Sequence, residues 1–142
     1  MEDFLEKLQE NQSKKVQEVR AIPPLVLAYI GDAIFEVYVR NHLITQTKML
    51  VGAYHRDAIG YVKAQSQATI VRTLEAELSE EEWRVIKKGR NQKPATVPKN
   101  ADLMDYKYAT GFEALIGYLF YMGKTERLME VMSRSMEILD KR

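Results

Sequence analysis

Residues 23–40, PPLVLAYIGDAIFEVYVR, constrain the fold more than any other stretch of the chain. Pro23 and Pro24 suit a first helical turn, where no backbone N–H is required, and suit no later one. The remainder is apolar on nearly every side: Leu25, Val26, Leu27, Tyr29, Ile30, Ile34, Phe35, Val37 and Val39. A helix without a polar face is expected to be buried. Yet it carries Asp32 and Glu36, four residues apart and so on one face. A carboxylate in that setting is costly unless it is paired, hydrogen-bonded or bound to a cation.

A second stretch repeats the conflict. Phe112–Tyr121, FEALIGYLFY, is again apolar all round, and Glu113 is its single acid. No other Asp or Glu lies between Asp105 and Glu126. Two apolar helices with few carboxylates suit a hard divalent cation, because Mg²⁺ takes one or two carboxylates and keeps several waters for its substrate. Metal-assisted phosphodiester hydrolysis needs such carboxylates, together with an activated water and Lewis-acid help at the phosphate. The competing reading places each acid at a half-exposed or ion-paired surface position.

Charge adds a second candidate site. The chain carries 21 Lys/Arg and 20 Asp/Glu, a formal net charge of +1. Six of the basic residues (Arg84, Lys87, Lys88, Arg90, Lys93 and Lys99) fall between Arg84 and Lys99, where there is no acid. The positive charge is therefore local, which is what a phosphate backbone would feel. Thr96, Asn91, Gln92 and Asn100 add neutral donors suited to phosphate or 2′-hydroxyl contacts. A solvated surface run is the alternative.

Several function classes are disfavoured. Cysteine is absent, which removes disulfides and thiolate metal sites and suits a reducing cytoplasm. The polar start, MEDFLEKLQENQSKK, is not that of a signal peptide. No apolar run approaches the roughly 20 residues that span a bilayer, so no membrane association is expected. His42 and His55 lack the spacing of a zinc hydrolase or a di-iron bundle.

Periodicity predicts an all-α domain over residues 1–142. Residues 1–20 form a weak amphipathic helical extension, with the polar stretch 11–15 as its breaking point. The apolar helix comes next, over about residues 24–43. Residues 48–73 are helical, divided near Gly52 or Gly60. Ser79 and Glu82 match a capping box that opens a helix ending near Gly89. Residues 91–100, with Pro94 and Pro98, form a basic loop. The second apolar helix spans about residues 104–122 and closes at Gly123. Leu128, Val131, Met132, Ser135 and Leu139 give the last helix a core-facing stripe.

Tyr29-Ile30-Gly31-Asp32-Ala33, with Phe112-Glu113-Ala114-Leu115-Ile116-Gly117 about eighty residues later, resembles the ribonuclease III catalytic domain. The first matches that family's Leu-Gly-Asp-Ala core and the second its Phe-Glu-Ala-x-x-Gly motif. The resemblance covers roughly residues 20–140, and the appended double-stranded-RNA-binding domain is not expected, as in the short bacterial form. It implies an all-α homodimer that uses Mg²⁺ to cut both strands of double-stranded RNA. The products would carry 5′-phosphate and 3′-hydroxyl ends. It further implies action on the 23S ribosomal RNA precursor, and so contact with the large ribosomal subunit. Asp32 and Glu113 carry over as the catalytic, metal-binding pair. Ala28 stands where the family has a Glu, and Thr110 where it has an Asp, so the site is expected to work with two acids; Glu36 is the candidate to compensate. The basic loop would then grip the duplex in place of an RNA-binding domain. A non-catalytic RNA-binding or ribosome-assembly domain of the same fold is the alternative.

Overall fold

Local signals place the helix boundaries. A computed structural model describes residues 1–10, 16–93 and 96–142; the polar interruption at 11–15 and Pro94 lie outside them. The elements are α1 (Glu2–Glu10), α2 (Val16–Arg20), α3 (Pro24–Gln46), α4 (Val51–Val62), α5 (Ala64–Leu74), a 3₁₀ turn (Glu75–Glu77), α6 (Glu80–Arg90), α7 (Leu103–Tyr121) and α8 (Thr125–Asp140). No strand occurs among the described residues. Pro24 opens α3 as its first residue. Ser79 caps α6 through the reciprocal box, with Glu82 N donating to Ser79 Oγ and Ser79 N to Glu82 Oε1. Gly123, at φ +71, ends α7 in the left-handed region that favours glycine.

The α4–α5 break falls at neither glycine. Lys63 is extended, and three side chains satisfy the carbonyls left open at the end of α4. Ser66 Oγ donates to Gly60 O at 2.6 Å, Gln67 Nε2 to Val62 O at 2.9 Å, and Arg142 Nη2 to Gly60 O at 2.7 Å. Side-chain capping from α5 and from Arg142 replaces the glycine stop that the sequence suggested.

The helix enclosed on nearly every side is α7, over its half from Gly111 to Phe120, not α3. Its residues Phe112, Leu115, Ile116 and Leu119 are fully enclosed by α3, α5, α6 and α8. Phe112 meets Phe35 of α3 edge to face, with ring centres 5.0 Å apart. Helix α8 covers the core with its predicted stripe. One side of α3 stays uncovered: Val26 is 51%, Tyr29 82% and Val37 51% exposed. Complete burial of α3 is thus corrected. One chain supplies enough helices to enclose a single all-apolar helix, and α7 takes that place.

Candidate active site

The site is built by a close helix crossing. A Cβ placed on Gly31 of α3 would lie 1.8 Å from Glu113 O, and one on Gly117 of α7 would lie 2.1 Å from Leu27 O. Neither position tolerates a side chain, so backbone touches backbone. The residue after Gly31 is Asp32, and Glu113 is itself at the contact. The two glycines thus draw the two acids together.

Their environments differ. Asp32 is exposed, which corrects the expectation of two buried acids. Glu113 is largely enclosed, and its carboxyl is pushed up to about 8. Burial is the main cause, followed by the charge of Asp32 and a hydrogen bond between the two carboxyl groups; Gln67 opposes the shift. At neutral pH Glu113 therefore holds a proton.

Stability depends on pH as a result. Glu113 binds a proton more tightly folded than unfolded, so its contribution is full below the ordinary value of 4.5 and is lost as pH rises to about 8. Cation-free protein should lose roughly 3 to 5 kcal/mol over that window. Urea unfolding across the window checks this, and Glu113→Gln should flatten the slope.

Gln67 joins the acids and was missed in the sequence. Its Nε2 donates to Glu113 Oε2 at 3.3 Å, and its Oε1 has no partner although the residue is 1% exposed. An unmatched buried acceptor costs about 1–3 kcal/mol. The signal was available: Gln67 lies one turn before Ile70 and Val71 and two before Leu74, on the inward face of α5, where Ser66 is the other polar member.

The remaining candidates sit elsewhere. Glu36 pairs with Arg40 at 3.3 Å. Ala28 is buried, and Thr110 Oγ1 donates to Tyr106 O. The six basic residues meet different surroundings. Arg84 and Lys88 line a groove of about 280 Å³ with Arg20, Pro23, Glu81 and Tyr118, which contains neither acid. Arg90 stacks on Tyr108, 5.7 Å from the ring centre, and Arg72 stacks on the same ring at 5.2 Å. Lys87, Lys93 and Lys99 are exposed.

Two carboxylates and a free amide oxygen fit a hard divalent cation, which needs few protein ligands when water and phosphate complete its shell. No group of three or more His, Asp or Glu is gathered among the described residues.

The Ribonuclease III domain model matches residues 25–124, which include both acids and both crossing glycines. The chain belongs to the ribonuclease III family. A Thermoanaerobacter protein named Mini-ribonuclease 3 is 42% identical over 86% of this chain and 86% of its own length. A Brevibacillus brevis protein of the same name is 46% identical over 82% and 87%. A Staphylococcus aureus one is 35% identical over 87% and 94%. The crystal structure of a Fusobacterium nucleatum protein superposes with a TM-score of 0.76 at 28% identity, over 84% of this chain and 95% of that one. This member of the Mini-ribonuclease 3 group is an endoribonuclease. Ribonuclease III enzymes act on double-stranded RNA and generally use a divalent metal. No described helix is long and apolar enough to cross a membrane.

Proposed function

We propose that this ribonuclease is Mg²⁺-dependent and cuts both strands of double-stranded RNA through Asp32 and Glu113. The products carry 5′-phosphate and 3′-hydroxyl ends. Its substrate is the 23S ribosomal RNA precursor, met in the cytoplasm on or near the large ribosomal subunit. The observation that carries this reading is the contact of one exposed and one enclosed carboxyl at the α3–α7 crossing.

The residues divide the work. Asp32 presents its side chain to solvent, where a cation and a scissile phosphate can approach. Glu113 is the proton-holding partner and must release its proton for both acids to serve as ligands. The close crossing fixes both acids on rigid helices, so little reorganisation is needed at loading. When bound, Mg²⁺ supplies charge neutralisation at the phosphate and activation of water.

The uncovered stripe of α3, Val26, Tyr29, Ala33 and Val37, supports a homodimer. Exposed apolar surface of this kind marks an interface, and a two-fold axis would set two single-strand cutters across one duplex.

The single domain over residues 1–142 grips RNA through its surface cations. Replacing Lys87, Lys88, Arg90 and Lys93 by Ala should weaken binding to all duplex sequences alike. Release of about four fewer counterions should flatten the slope of log K against log salt by roughly 3 to 4. An unchanged slope would remove these residues from the interface. The reading itself is tested by incubating the protein with end-labelled duplex RNA, with and without Mg²⁺. Double-strand cuts with 5′-phosphate ends are expected only with Mg²⁺, and undiminished cutting in chelator would overturn it.

A further inference from the structure

Gln67 bridges three helices and has a hydrogen-bond acceptor to spare. It stands on α5, its Nε2 reaches the last turn of α4 at Val62 O, and the same nitrogen reaches Glu113 on α7. Its Oε1 is buried and accepts nothing. The amide cannot be turned round to relieve this. Exchanging oxygen and nitrogen would aim Oε1 at the Val62 peptide carbonyl, an acceptor that can offer it no proton. The orientation is therefore fixed by its neighbours, and the unmatched oxygen is their consequence. Capping α4 accounts for the contact with Val62. It accounts neither for the contact with Glu113 nor for the open Oε1.

Buried amide oxygens are as a rule satisfied, and one left open beside an acid pair marks the place of a group the chain does not itself supply. We propose that Gln67 is a positioning residue for the divalent cation of the Asp32–Glu113 site. Its N–H groups hold the Glu113 carboxylate in place, and its Oε1 accepts a hydrogen bond from water carried by the cation. A neutral amide suits this role because it orients a ligand without adding a third negative charge to a pair that already repels. Partners of this kind set ligand orientation and metal affinity as the ligands do. The inference rests on the reading of Asp32 and Glu113 as a cation site, and its test separates the two.

Mn²⁺ alone is titrated into the full chain and followed by water-proton relaxation, for the wild type, Gln67→Met and Asp32→Asn. Met has similar length and volume but can neither donate a hydrogen bond nor accept one of comparable strength. Gln67→Met should bind Mn²⁺ about tenfold more weakly or worse, with helicity unchanged. If it binds as the wild type does while Asp32→Asn does not, Gln67 has no part in holding the cation and the cation site stands. If Asp32→Asn also binds as the wild type does, the cation-site reading falls and this inference with it. A measurement on the unaltered protein covers the case in which the Met variant does not fold. The Gln67 side-chain amide resonance, followed by NMR during Mg²⁺ addition, should shift and saturate. A resonance that stays still overturns the proposal.

Discussion

Asp32→Asn and Glu113→Gln should each abolish cleavage, with kcat falling on the order of 10³-fold, while helicity and duplex binding persist. The size reflects the several kcal/mol that a cation contributes at a phosphoryl centre, at about 1.4 kcal/mol per tenfold. Both changes are nearly isosteric, so the crossing of α3 and α7 is kept. They differ in a second respect. Glu113→Gln removes the enclosed proton-binding group and with it the fall in stability as pH rises to about 8. Asp32→Asn removes the charge that helps to raise Glu113, so the pH dependence should shrink without vanishing. Quenched-flow cleavage and urea unfolding, run on the same two variants, check both halves. A variant that cuts at near the wild-type rate takes that residue out of the site.

Gly31→Ala should be the most damaging single methyl in the chain. The added carbon would lie 1.8 Å from Glu113 O, a backbone atom that cannot swing aside. The helices must part, which costs about 3 kcal/mol or more by overpacking. Because Glu113 is at the contact, parting them also opens the acid pair, so residual folded protein should cleave poorly. Gly117→Ala, with Leu27 O at 2.1 Å, should behave alike. Gly52 supplies the contrast. It is exposed on α4, and the nearest atom to an added Cβ is the end of the Arg56 side chain at 3.7 Å. Gly52→Ala should be neutral or stabilise by up to about 1 kcal/mol through helix propensity. Thermal melts of the three variants decide this. Equal losses for Gly31→Ala and Gly52→Ala would show that the close crossing is not what the glycines serve.

The acid pair was legible because its signal is a contradiction: Asp32 and Glu113 stand in stretches with no other reason to be polar. The capping box at Ser79–Glu82 was legible because both its bonds are local. The features that failed to show depend on distant partners. The exposed face of α3 could not be told from a buried one, since α7 has the same all-apolar pattern and only packing decides which is enclosed. The break at Lys63 depends on Ser66, Gln67 and Arg142 reaching back to α4. The basic run is one segment of the sequence, and charge along a sequence does not reveal which way each side chain turns. In the fold, Arg84 and Lys88 turn to a groove beside α2 and α3, while Arg90 lies on Tyr108. Gln67 lay between these cases: its place on an apolar stripe was visible, but its contact with Glu113 was not.

The proposal that a cation sits between Asp32 and Glu113 can be tested directly. The measurement is anomalous diffraction from crystals soaked in Mn²⁺ at a pH above about 8, where Glu113 has released its proton. The expected result is a peak within roughly 2.0–2.2 Å of a carboxylate oxygen from each of the two acids, and its loss in Asp32→Asn. A strong peak elsewhere on the molecule, with none between Asp32 and Glu113, would contradict it.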